Sequence, residues 1–208
     1  LAGGDIPELN LGGGFGINYK PADNAPEVAK IAAAIVDTVA AECQKLGIKV
    51  PALAFEPGRA IVGNTGITLY NVGTIKDVKV TDGAEPAVRK YVSVDGGMSD
   101  NARPALYEAE YHTVLASRVS SAAPALSRVV GKHCETGDIV IQEIELPSDI
   151  SPGDLLATPA TGAYGRSMAS NYNHVPRPPV VAVINGQARV IVRRETEADL
   201  LALDISKM

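Results

Sequence analysis

The sequence predicts an α/β unit followed by a larger β-rich unit, and three observations predict it. Between Leu9 and Phe55 a short apolar run, a glycine loop, a long amphipathic stretch and a second apolar run follow one another, which is the order of a βαβ unit. After about Gly63 the three- and four-residue periodicity gives way to alternating apolar and polar residues. Near the end, Asn185-Gly186 separates Val180–Ile184 from Val190–Val192, two β-branched runs, which is a strong hairpin signal.

Taken in order, Leu9–Leu11 reads as a strand that breaks into Gly12-Gly13-Gly14-Phe15-Gly16. Past Pro21 to Pro26, the spacing of Val28, Ile31, Ile35, Val39, Cys43 and Leu46 predicts a helix over 27–46 with one apolar face, stopped by Gly47. Ile48–Phe55 reads as the next strand, leaving through Glu56-Pro57-Gly58-Arg59. Strands are expected at 67–79, 90–94, 112–118, 126–131, 138–146 and 180–194, with short helical turns near 165–171 and 196–203. The predicted domains are therefore 1–63 and 64–208, with the segment near 162–175 a candidate to pack back on the first. A closed (β/α)₈ barrel takes about 250 residues, so the two βα units read here cannot close one.

Composition excludes several classes. With 19 Lys+Arg against 24 Asp+Glu, the net charge is -5, and 4% of residues are aromatic, so a nucleic-acid partner is not expected. No apolar stretch reaches bilayer length, which argues against a membrane partner. Cys43 and Cys134 form no CxxC pair or disulfide framework, as in a cytoplasmic protein. His112, His133 and His174 are scattered, so no metal site is expected.

Chemistry concentrates in a few loops. Bare backbone at Gly12–Gly16 could close on an anion, and Arg59 offers a planar fork of donors for phosphate or carboxylate. Each loop alone also reads as an ordinary turn, or as a surface Glu–Arg pair; at two successive strand ends, together, they favour one phosphorylated ligand. Asp95-Gly96-Gly97-Met98 is a tight turn. Arg103 and Tyr107 lie four apart, on one face if that segment is helical, which also suits an exposed Arg stacked on a Tyr. Cys43 suits a buried stripe, whereas Cys134 has charged and glycine neighbours and could donate a proton. Tyr164 stands alone among small residues, as a core anchor or against a ligand.

Five segments in this order, LNLGGGFGINY (9–19), FEPGR (55–59), VDGGMSDNARPALY (94–107), GKHCETGDI (131–139) and GDLLATPATGAYGRSMASNYN (153–173), resemble the diaminopimelate decarboxylases, of the alanine-racemase-like pyridoxal-phosphate class. The resemblance covers nearly the whole chain. It implies the C-terminal strands of a pyridoxal-phosphate-binding (β/α)₈ barrel, incomplete here, followed by a β-sandwich or barrel-like domain. It implies decarboxylation of meso-2,6-diaminopimelate to L-lysine and CO₂, the last step of lysine biosynthesis. Backbone amides of Gly13, Gly14, Gly58 and Arg59 would hold the phosphate of pyridoxal 5′-phosphate. Glu56 would face the pyridine nitrogen, and Tyr164 would touch cofactor and substrate. Arg59, Arg103 and Tyr107 would bind the far carboxylate of a small-molecule substrate, and Glu135 its far ammonium. Cys134 would be the catalytic proton donor. In the family, Cys134 and Glu135 cross into the partner's site, which implies a homodimer.

Ornithine- and arginine-type decarboxylases share the glycine loop and the EPGR-like segment but typically carry Cys-Asp where this chain has Cys134-Glu135. They remain the alternative reading, beside a non-catalytic module of decarboxylase-like form. The family's Schiff-base lysine and a ring-stacking histidine belong to earlier barrel strands, and no lysine of this chain stands in that motif. With Leu1 rather than Met at the start, the expectation is a C-terminal half, inactive or nearly so by itself, which the cofactor need not accompany.

Overall fold

Parallel pairing of two short strands organises the first part of the chain, and a six-stranded sheet organises the rest. The computed structural model describes residues 5–82 and 85–205. The elements are β1 (Glu8–Asn10), α1 (Val28–Leu46), β2 (Ala52–Ala54), α2 (Gly58–Val62), a 3-10 turn at Gly63–Thr65, β3 (Ile67–Asp82), β4 (Glu85–Val94), α3 (Arg103–Tyr107), β5 (Val114–Leu115), β6 (Pro124–Val130), β7 (Ile139–Pro147), β8 (Leu155–Pro159), α4 (Gly165–Met168), a 3-10 turn at Tyr172–His174, β9 (Val180–Ile184), β10 (Gln187–Val192) and α5 (Glu197–Leu200). They fall into two units. The first runs to Ile67 and takes in Pro159–Ala163; the second is Thr68–Thr158 and the residues from Tyr164 on.

In the first unit β1 and β2 run parallel, with Leu9 opposite Leu53 and Asn10 opposite Ala54. The strand expected over 48–55 shrinks to three residues. Pro51 has no N–H to give a ladder, and beyond Ala54 the chain is already turning, with the Glu56 N–H donating to the Gly12 carbonyl at 2.8 Å. α1 is the helix the apolar spacing predicts. It ends where Gly47 takes φ 67°, with Gly47 N–H on the Gln44 carbonyl and Ile48 N–H on the Cys43 carbonyl, a Schellman closure. Cys43 is the one residue that α1 buries, and Val28 and Val36 on the same helix are about half exposed.

In the second unit the strand order is β5-β8-β3-β4-β6-β7. β3 and β4 form a long antiparallel hairpin from Val72↔Val94 to Asp82↔Glu85, with a bulge between Val72 and Ile75. β4 pairs β6 in parallel, and β6 pairs β7 antiparallel. The edge strands β5 and β7 come near one another, so the sheet curls towards closure. Its core is made of inward residues at every second position, among them Tyr70, Val72, Val92, Val94, Val129 and Leu146, with Leu156 fully enclosed. Buried hydroxyls are paired: Thr158 bonds Thr113, which in turn bonds the Ala157 carbonyl.

Two sequence expectations need correction here. The strand expected over 112–118 is the two-residue β5, because the chain turns at Ser117 and Arg118 to bond Asp154; the Arg118 guanidinium takes both carboxylate oxygens at 2.9 Å. Those bonds hold the Asp154 carboxyl well below the usual carboxylate range. The second is β8, which the sequence reading left out. The terminal hairpin β9–β10 turns at Asn185 (φ 51°) and Gly186 (φ 76°), both left-handed as a type I′ turn needs. α5 opens with a capping box between Thr196 and Asp199.

Candidate active site

On the first unit, the parallel pairing of β1 and β2 sends the glycine loop and the Glu56–Arg59 loop out at the same end, side by side. The two loops are stitched together. Asn10 Nδ2 donates to Glu56 Oε1 at 2.8 Å, and Asn10 Oδ1 accepts from the Gly12 N–H. The Arg59 guanidinium donates to the carbonyls of Phe15 (3.0 Å) and Gly14 (3.2 Å), and the Gly58 N–H donates to the Glu56 carbonyl. Phe15 and Phe55 pack edge-to-face with ring centroids 6.0 Å apart. A Cβ on Gly13 would drive into the Glu56 carbonyl, so the loop is bare backbone by necessity at the point where it touches the acidic loop. Gly13, Gly14, Glu56, Gly58 and Arg59 are thus gathered on one unit. The arrangement is an anion-ready backbone beside a carboxylate, and Arg59 braces the loop through its side chain.

On the second unit, two groups of predicted residues form. In the first, Arg103 opens α3, donates to the Tyr111 hydroxyl at 2.8 Å, and lies over the rings of Tyr111 (5.8 Å) and Tyr164 (5.3 Å). Tyr107 ends the same short helix and is well exposed. The stacking partners of Arg103 are therefore Tyr111 and Tyr164. Tyr164 itself sits at φ 68°, an uncommon conformation for a large side chain, at the start of α4.

The second group is built on Asp138. Its carboxylate is buried and accepts the N–H groups of Met98 (2.6 Å) and His133 (2.7 Å). It ties the Gly96–Met98 turn to the loop holding Cys134 and Glu135, and a Cβ at Gly131 or Gly97 would strike it. His133 Nε2 bonds Ser99 Oγ at 2.8 Å, and its ring meets Tyr172 edge-on at 5.3 Å. The Tyr172 hydroxyl donates to Glu135 Oε1 at 2.5 Å. Cys134 is exposed. Beneath this loop Asp100 accepts from the Tyr70 hydroxyl and the Gly97 N–H, both at 2.7 Å. Burial raises the Asp100 carboxyl above its ordinary value, and burial with the neighbouring Asp100 charge drives the Tyr70 hydroxyl well up.

Tyr111, Tyr172 and Asp138 were not among the predicted site residues. Nothing in the sequence marks Tyr111: the helix ends at Tyr107, so the four-residue step between the two places them on no common face. Tyr172 and Asp138 lie inside motifs already noted, without assigned parts. Among the described residues there is no cluster of His, Cys, Asp and Glu that could hold a metal, and no helix long and apolar enough to cross a membrane.

Residues 22–162 match the pyridoxal-dependent decarboxylases in their C-terminal sheet domain, and the chain belongs to that family. Within it, the chain is 54% identical over 200 residues to the diaminopimelate decarboxylase of Mycobacterium tuberculosis, covering 96% of this chain and 44% of the relative. It is 47% identical over 197 residues to that of Bacillus subtilis, covering 95% and 43%. Among solved structures, the diaminopimelate decarboxylase of M. jannaschii in complex with L-lysine superposes with a TM-score of 0.85 at 37% identity, covering 97% of this chain and 44% of that one. The chain spans less than half the length of these relatives. The residues of the first unit fit a pyridoxal cofactor: a loop that no side chain could occupy at Gly13 lies against the Glu56 backbone, and the Glu56 carboxylate, held by Asn10, is able to pair with a protonated ring nitrogen.

Proposed function

We propose that the holoenzyme, meaning this chain joined to the portion of its relatives that it does not span, decarboxylates meso-2,6-diaminopimelate to L-lysine and CO₂ with pyridoxal 5′-phosphate. The observation that carries this reading is the side-by-side exit of the glycine loop and of Glu56–Arg59 from paired parallel strands, in a chain 54% identical to a diaminopimelate decarboxylase. When bound, the protonated pyridine ring supplies an electron sink for the charge left at carbon as CO₂ departs. Backbone amides of Gly13, Gly14, Gly58 and Arg59 hold the phosphate; the Gly58 amide leaves its turn to the Glu56 carbonyl to do so. Glu56, fixed by Asn10, keeps the proton on the pyridine nitrogen.

Arg103, Tyr107 and Arg59 take the far carboxylate of the substrate. A guanidinium has five donors, so Arg59 can bridge loop and ligand. Tyr164, under the Arg103 guanidinium, presents its ring to cofactor and substrate. Glu135 takes the far ammonium, and Cys134, exposed on the same loop, gives a proton to the carbon that lost CO₂. Cys134 and Glu135 act across a homodimer interface, in a protein of the cytosol. L-lysine, the ligand of the M. jannaschii neighbour, is the expected product.

The test supplies the unspanned portion from the M. tuberculosis relative and compares product formation from meso-diaminopimelate, ornithine and arginine. Lysine should dominate. A preference for ornithine overturns the assignment of Glu135. A Cys134→Ala variant with full turnover and unchanged melting overturns the proton-donor assignment.

A further inference from the structure

Glu135 is exposed, on a loop between strands, and an exposed glutamate ordinarily samples many rotamers. Here one neighbour holds it. The Tyr172 hydroxyl donates to Glu135 Oε1 at 2.5 Å, a short bond of the kind a charged acceptor makes. The residue that carries this hydroxyl is held at its ring and through the chain on either side of it. His133 packs edge-on against it and is itself bonded to Ser99. Along the chain, Asn171 Nδ2 donates to Glu195 Oε2 and to the Val175 carbonyl, while the Arg177 N–H and guanidinium close on the same Glu195. Between these anchors the chain passes through Asn173 at φ 52° and His174 at φ 55°, two successive left-handed residues that are not glycine. Such strain persists where the surroundings over-determine it, and it tends to gather at functional sites.

We infer that Tyr172 is a positioning residue for Glu135: its hydroxyl fixes one carboxylate oxygen and leaves the other aimed at the far ammonium group of the substrate. The inference rests on the reading of Glu135 given above. The hydroxyl is suited to the part, since the bond to Glu135 raises its pKa above the ordinary tyrosine value of 10.0, and it stays a donor throughout the neutral range. The groups facing Glu135 and Tyr172 are His133 and Cys134 on the loop and Ser99 behind it.

Tyr172→Phe removes the hydroxyl and keeps the ring against His133. In the holoenzyme, KM for meso-diaminopimelate should rise, by roughly tenfold at most for a partly exposed hydrogen bond to a charge, with kcat little changed. The inhibition constant of 2-aminopimelate, which has both carboxylates but no far amine, should not move. Glu135→Gln is measured beside it. If Glu135→Gln shifts KM selectively and Tyr172→Phe does not, this inference fails and the assignment of Glu135 survives. If Glu135→Gln itself leaves that selectivity intact, the assignment of Glu135 falls and this inference with it. If Tyr172→Phe raises both constants equally, its role is structural and the inference is wrong. A readout that needs no turnover is the NMR pH titration of the Tyr172 ring in this chain: Glu135→Gln should return it towards 10.0, and an unmoved titration counts against the bond.

Discussion

The two units dispose of their apolar surface in opposite ways. In the second unit Val92, Val129, Leu146 and Leu156 are enclosed by a six-stranded sheet. In the first, a 19-residue helix buries Cys43 alone, and the sheet has two strands of three residues. Yet the proposed cofactor cradle belongs to the first unit, and the proposed substrate-reading side chains other than Arg59 belong to the second. Precision in the glycine and Glu56–Arg59 loops comes from backbone and polar stitching by Asn10 and Arg59, whereas precision around Glu135 rests on a packed sheet and one buried carboxylate, Asp138. Local hydrogen bonds can hold a loop where little core supports it.

That contrast is breakable. The largest expected effect is Leu156→Ala, which empties a fully enclosed site in the second unit and should cost about 2–5 kcal/mol in denaturant unfolding. Val36→Ala on α1, half exposed, should stay within about 0.5 kcal/mol. Comparable losses from the two would mean that α1 is packed far better than its exposure implies. Next comes Asp138→Ala, which strands the N–H groups of Met98 and His133 and should cost about 2–4 kcal/mol. Hydrogen exchange should quicken at those two amides first, and Asp138→Asn should recover part of the loss.

In the first unit, Gly13→Ala pushes a methyl group into the Glu56 carbonyl. The dissociation constant of pyridoxal 5′-phosphate in the holoenzyme should rise about tenfold or more, while the melting of the second unit stays put. Equal affinity for the variant would remove the cradle from the proposal.

The smallest effect is one of pH. Arg177, through its side chain, then its N–H, and Asn171 hold the Glu195 carboxyl down to about 2 from 4.5. A carboxyl depressed in the folded state stabilises it fully above its unfolded value, and that contribution drains away as pH falls from about 4.5 to about 2. The Arg177 amide, which donates to Glu195, should lose exchange protection over that window, and Glu195→Gln should flatten the response.

Much of this was legible along the chain, for a physical reason that particular elements illustrate. α1, the Asn185-Gly186 turn and the long strands β3 and β7 follow from periodicities and turn chemistry confined to a few neighbouring residues. β8 was not legible. Leu155–Pro159 is a five-residue run ending in proline, and its partners β5 and β3 lie far away in sequence. β5 was overstated because nothing local announces that Ser117 and Arg118 will leave the ladder for Asp154. Among site residues, the motif positions could be picked out by type and spacing. Tyr111 and Tyr172 carry no such mark, because each matters through a contact with a residue from another segment.

By itself the sequence determined the order of the long elements, the two loops of bare backbone, and which side chains carry charge or a labile proton, since these follow from local conformational preference and composition. Only the tertiary structure decided that Arg103 lies over Tyr164 rather than standing free, that Asp138 ties two loops together, and that Tyr172 holds Glu135. Arg103 and Tyr164, Met98 and Asp138, and Glu135 and Tyr172 lie dozens of positions apart, and no local preference encodes a distance that arises as the sheet curls.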